Sequence, residues 1–334
     1  MKKSLTYAFI LIGTFVGVGF ISGREIVTFF SRFGVVSILT SLISVGLIVF
    51  NMVVENKISA VNNQKLATNK LFKVNEKLLK VLFYLCNFIV LISMIAGVHS
   101  LCFTLFDNII GAMVAGAVIL VCYALVIRGL DSLKRINIIF VPIAIMLVSV
   151  IFINKLGDGR IVTSEIGNNN IILAILFSIL YSGMNSLTIL PVVKLVPKGN
   201  KTIGIFFILS ALLITIINLI LLTNQVGDMP LLNEANLIGN IFSKLFSVIL
   251  LMGLMTTLLS SAFVLKKAID KNGNQNFESA SLIFFIAIIV SILGFKNIIN
   301  FLYPAIGALG AIVFIIRFIY FAQFKNCKNN KNTI

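Results

Sequence analysis

Leu11-Ile12-Gly13-Thr14-Phe15-Val16-Gly17-Val18-Gly19-Phe20-Ile21-Ser22-Gly23-Arg24-Glu25 is the stretch that decides the fold. It lies inside the first apolar run, where a membrane-crossing helix ought to be uniform. Four glycines nevertheless fall in eleven residues, and Ser22, Arg24 and Glu25 sit beside the last of them. Each glycine weakens a helix by about 1 kcal/mol relative to alanine, so this density predicts an unwound backbone. Unpaired backbone survives at membrane depth only where it is buried in protein or lines a cavity. The stretch therefore reads as a broken transmembrane helix whose freed amides and carbonyls bind a ligand.

The rest of the chain supplies the membrane context. Of 334 residues, 59% are hydrophobic and only 11% charged, with mean hydropathy +1.09. A soluble domain is about a quarter charged, so an all-α integral membrane protein is expected. The net charge of +16 sits in short clusters between apolar runs. That is the positive-inside pattern, and it points to a lipid bilayer as partner and not to nucleic acid. Cys86, Cys102, Cys122 and Cys327 show no paired spacing, so neither a disulfide framework nor a metal site is expected. No catalytic constellation appears, and Gly17-x-Gly19-x-x-x-Gly23 lacks the strand that a nucleotide loop requires. The reading is a protein that is not an enzyme and holds no cofactor.

Apolar runs near the bilayer length of about 20 residues mark ten spans, at 5–30, 34–54, 78–106, 109–127, 136–153, 171–196, 202–223, 241–265, 279–294 and 298–322. With the N-terminus inside, 21 of the 27 basic residues fall on inner segments, which predicts cytoplasmic termini, a cytoplasmic tail at 323–334 and the cell membrane as location. Met1-Lys2-Lys3 resembles the start of a signal peptide, but the apolar run behind it is too long and is read as the first span. The polar connection 55–77 reads as a solvated inner loop, and 224–240 as a short re-entrant hairpin. The two five-span halves, 5–153 and 171–322, must have opposite topology because five is odd. That is the arithmetic of an inverted repeat. It predicts a second break in the sixth span, at Tyr181-Ser182-Gly183-Met184-Asn185-Ser186.

Gly13-Thr14-Phe15-Val16-Gly17-Val18-Gly19 is similar to the glycine-rich first helix of LeuT-type transporters in the amino acid–polyamine–organocation superfamily. The fuller run to Phe29-Phe30 resembles the YkvI-type amino-acid permeases, departing from them at Arg24, where glutamine is usual. The resemblance implies a secondary transporter of a small zwitterionic solute, most simply an amino acid, working by alternating access. It implies a substrate carboxylate facing the backbone around Gly17, Val18 and Gly19, and a coupling cation between the carbonyls of Gly13 and Val16 and the eighth span. There Gly253-x-x-Thr256-Thr257 fits the family spacing, and Thr257-x-x-Ser260-Ser261 is the alternative. Hard neutral oxygens suit sodium. Phe20 stands where relatives with a second sodium site carry asparagine, and the fifth span has no lysine to replace the ion. Proton coupling through another group stays open. So does a ligand sensor on the same scaffold that binds an amino acid without moving it.

Ionisable residues inside membranes are functional candidates. Arg24 and Glu25 read either as a pair with each other or as an outer gate. His99 reads as a packing residue or a proton relay. Tyr181, Ser182, Gly183 and Asn185 read as substrate-pocket residues at the second break. The other tyrosines, Tyr303 among them, read as an interfacial aromatic belt. Glu55 reads as a snorkelling carboxylate at the inner end of the second span.

Overall fold

A computed structural model describes residues 2–60, 70–128, 133–157, 170–193, 200–222, 227–270 and 277–329. The described residues are helical throughout, without strands. Seven of the helices are long and apolar enough to cross a membrane. Large apolar side chains stand out from the bundle, among them Ile109, Ile172, Ile241 and Ile292, each more than three-quarters exposed. An apolar exterior of this extent is what hydrocarbon solvates, and the chain is a multi-pass membrane protein.

The first apolar run is broken. It forms α1 (Lys2–Phe15), α2 (Val18–Ile21) and α3 (Arg24–Phe29), followed by a single 3-10 turn at Ser31–Phe33. Gly23, between α2 and α3, has φ +82°, a left-handed conformation that only glycine adopts without strain. Ser22 holds the kink from both sides. Its hydroxyl donates to the Gly19 carbonyl at 3.1 Å and accepts from the Arg24 amide at 3.3 Å.

Long helices follow: α4 (Val36–Ala60), α5 (Lys70–Leu105), α6 (Asn108–Arg128), α7 (Leu133–Gly157), α8 (Ile171–Val193) and α9 (Asn200–Leu221). Next come a short helix α10 (Pro230–Ile238), then α11 (Asn240–Ile269) and α12 (Phe277–Ser291). The chain closes with one turn, α13 (Phe295–Asn297), a π-turn at Ile298–Leu302 and α14 (Tyr303–Asn329). The expected loop at 55–77 is narrower than its composition suggested. Helix continues to Ala60 and resumes at Lys70, and 61–69 lie outside the described residues, as do Asp158, Arg160 and Glu165. At about 1.5 Å per residue, α5 spans roughly 54 Å, longer than the roughly 30 Å of a bilayer's hydrocarbon core, and its N-terminal turns carry Glu76.

The sixth run corrects an expectation. Helix α8 is continuous across Tyr181–Ser186. Three of its polar residues bond to carbonyls of their own helix and do not free the backbone. Ser182 Oγ donates to Ile179 O at 2.8 Å, Asn185 Nδ2 to Tyr181 O at 3.1 Å, and Thr188 Oγ1 to Asn185 O at 2.9 Å. Gly183 serves a different end. A Cβ there would overlap the Gly307 carbonyl of α14 and lie 2.6 Å from the Ala311 amide. The small residue lets two helix backbones touch, as small residues do between membrane helices. Among the described residues the contacts of α8 with α14 and of α5 with α11 are the most extensive, and α4 also packs on α8. On α4, Ser37, Thr40, Ser41 and Ser44 form a buried stripe at the i, i+3, i+4, i+7 spacing of one helix face.

Polar interactions close both ends of the bundle. At the end bearing Arg24, the guanidinium donates to the Gly227 carbonyl at 3.1 Å and to Asn300 Oδ1 at 3.0 Å. The segment 227–238 sits over this end. The Leu231 amide donates to the Ser22 carbonyl at 3.0 Å, Ser100 Oγ donates to Asp228 at 2.8 Å, and Lys155 forms a 3.0 Å ion pair with Glu234. At the opposite end Arg317 is buried between Glu55 and Glu76, with 2.5 Å from its Nη2 to Glu55. Glu55 therefore does not snorkel. A buried guanidinium on α14 supplies the counter-charge that kept it in the interior.

Candidate functional site

The break in the first run opens on one cavity of about 160 Å³. Gly13, Thr14, Phe15, Gly17 and Glu25 line it from the broken segment, and Asn87, Val90 and Met94 from α5. Helix α8 contributes Met184, Asn185 and Thr188, and α11 contributes Thr257, Ser260 and Ser261. Tyr303 comes from the start of α14. Five separate helical segments thus supply backbone, amide, hydroxyl and carboxyl groups to one small space.

Glu25 is the one carboxyl side chain in this lining. It is 5% exposed, and its carboxyl folds back over the unwound turn, so that a Cβ on Gly19 would overlap Oε1. Arg24 points the other way, to Gly227 and Asn300. The expected Arg24–Glu25 pair does not form, because adjacent positions on a helix project about 100° apart.

The hydroxyls of α11 face the cavity with a defined polarity. Ser260 Oγ donates to Thr256 O at 2.8 Å and Ser261 Oγ to Thr257 O at 2.9 Å. A hydroxyl whose proton is committed to a helix carbonyl presents its lone pairs outward, the arrangement an alkali cation needs. Gly13 of the broken segment lines the same cavity. Thr256 and Gly253 are buried outside the lining, with Thr256 Oγ1 bonded to Gly253 O at 3.1 Å. Of the two spacings in the eighth run, the second therefore faces the cavity. Val16 is buried away from it, and the Val18 side chain lies outside the described residues.

Tyr181 also departs from expectation. It is fully buried among Phe15, Phe29 and Phe30, with ring centroids 4.9–6.1 Å away. It packs behind the break and does not line the cavity. Ser182 and Gly183 belong to helix packing, as described above, and only Asn185 of that group reaches the site. His99 stacks on Phe103 at 5.6 Å, outside the lining.

Tyr303 was misread as part of the belt. It is 2% exposed and shares a 2.7 Å hydrogen bond with Ser93. The signal lay next to it. Pro304 has no amide proton to give the carbonyl four residues back, at Asn300, and the chain there forms the π-turn Ile298–Leu302. Such turns recur at functional sites. Asn300 on this turn accepts hydrogen bonds from Arg24 and from Thr28 Oγ1 at 2.7 Å, tying the last helix to the first break.

The chain matches no model of a known protein family and no curated protein.

Proposed function

We propose that this protein is a ten-span secondary transporter of LeuT type that carries a small zwitterionic solute, an amino acid, across the cell membrane together with a cation. The observation that carries the reading is the polar cavity at the broken first helix, built from five helical segments. Its volume of about 160 Å³ is well below the roughly 300 Å³ at which pockets for drug-sized ligands begin, which favours a small solute. The seven long apolar helices leave three further runs for the remaining crossings. These are the broken first one, α7, whose apolar part is Pro142–Gly157, and α12. Sodium is the favoured cation. Gly13, Thr257, Ser260 and Ser261 offer neutral oxygen in the same cavity, the ligand type of a hard monovalent ion.

Counterflow tests the reading. Liposomes holding the purified protein and unlabelled amino acids are expected to take up a labelled mixture of the twenty amino acids, faster in sodium than in potassium. Thr257→Ala and Ser261→Ala are expected to lose the sodium preference, while Thr256→Ala, outside the cavity, keeps it. Uptake no faster than by empty liposomes would contradict transport. Binding without uptake would favour the sensor.

A further inference from the structure

We infer that the Glu25 carboxyl exchanges a proton for the ammonium group of the solute, so that solute and proton cross the membrane in opposite directions. The inference rests on the transporter reading above and adds a role for one residue of the site.

The geometry isolates this carboxyl. It is buried on the six-residue helix α3 and faces the cavity, and no ion pair joins it to a described residue. The other side chains that line the cavity are amides, hydroxyls and apolar groups. Of the titratable groups on the elements around it, Tyr303 of α14 shares the cavity lining, Tyr181 of α8 packs on Phe29 and Phe30, and Cys86 of α5 is buried. Helix α11 contributes hydroxyls, and α9, which packs against α3, has no titratable residue over 202–221. The two nearby cations are committed elsewhere. Arg24 is bonded to Gly227 and Asn300, and the Arg32 guanidinium lies 4.0 Å over the Phe177 ring.

An ionised carboxylate without a counter-charge is disfavoured in such surroundings, and taking up a proton removes the charge. The empty cavity is therefore neutral. An entering solute brings an ammonium group. Paired with it, the carboxyl ionises, and its proton leaves to the aqueous side from which the solute came. On the far side the ammonium departs and the carboxylate takes a proton from that solution before the empty site turns back. One proton moves outward for each ammonium moved inward.

The test uses liposomes holding the full chain, sodium equal on both sides, the membrane potential clamped, and the labelled amino-acid mixture as probe. An interior one pH unit more acidic than the outside is expected to raise accumulation about tenfold, as one-for-one exchange requires. Glu25→Gln is expected to melt no lower than the native protein and to lose this response. Glu25→Asp is expected to keep it with a displaced pH midpoint. Counterflow without a response to the gradient, a response retained by Glu25→Gln, or an unmoved midpoint in Glu25→Asp would overturn the inference and leave transport standing. Absence of counterflow in the native protein at equal pH would remove the transporter reading itself, and this inference with it.

Discussion

Gly183→Val is expected to yield little folded protein. At this position α8 and α14 meet backbone to backbone, and the overlap is mutual. A Cβ at Gly183 would strike the Gly307 carbonyl, and one at Gly307 would strike the carbonyl of Leu180. Gly310 repeats the contact, with a Cβ 2.6 Å from the Gly183 carbonyl. None of these obstacles is a side-chain tip that can swing away, so the two helices must separate. Inserting bulk into a packed interior costs about 1–3 kcal/mol even where side chains can give, and a backbone collision places Gly183→Val at or above the top of that range. Gly46→Ala and Gly116→Ala are the controls, since a Cβ there meets nothing within 4 Å. Both are expected to melt at the native temperature or above it. A Gly183→Val protein with native melting behaviour would refute the close packing of these helices.

Arg317→Met is expected to have a loss of similar size from an electrostatic cause. Arg317 is 1% exposed and Glu55 is 2% exposed. The guanidinium donates to Glu55 Oε2 through Nε at 2.9 Å and Nη2 at 2.5 Å, and to Glu76 through Nη1. Removing the cation takes the Arg317 counter-charge from a deeply buried carboxylate, and breaking a buried pair from one side costs about 3–5 kcal/mol. Thermal melting checks this with a second arm. Glu55→Gln placed on Arg317→Met removes the charge that Arg317 balanced and is expected to recover part of the loss. If the double variant melts no higher than Arg317→Met, the loss lies in packing and not in charge.

The first break was legible because its cause is local. Glycine density and the Ser22-Gly23-Arg24 sequence act on a few consecutive residues, and the chain unwinds where they stand. The membrane character was equally plain from the apolar runs. The second break was inferred from symmetry and not from local physics, and α8 runs straight through it. Ser182, Asn185 and Thr188 bond back to their own helix, while Gly183 answers to a partner on α14. A run of small and polar residues signals either unwinding or close packing, and a single sequence does not separate the two.

The lining of the candidate cavity was legible in its outline. Gly13, Gly17, Glu25, Asn185, Thr257, Ser260 and Ser261 were all singled out, and all line the cavity. Thr256 and Thr257 differ only in helix face. Rotation by one residue, about 100°, decides which enters the site, and that depends on how α11 packs against α5. Tyr303, read as part of the belt, and Asn87, read as an interhelical hydrogen bond, were not placed in the site, because their positions in the lining arise from the assembly. Tyr303 reaches the interior only because the chain turns through the π-turn before it, and Asn87 because α5 presents that face to the break.

Equilibrium binding to the purified protein tests the central claim, that the cavity at the broken helix is the solute site. The labelled amino-acid mixture is added in sodium to the native chain and to Ser260→Phe, whose ring would occupy the cavity, with melting temperatures confirming that both are folded. The account predicts saturable binding by the native protein and none by Ser260→Phe. Equal binding by the two proteins would place the solute elsewhere, and no saturable binding by the native protein would contradict an amino-acid site altogether.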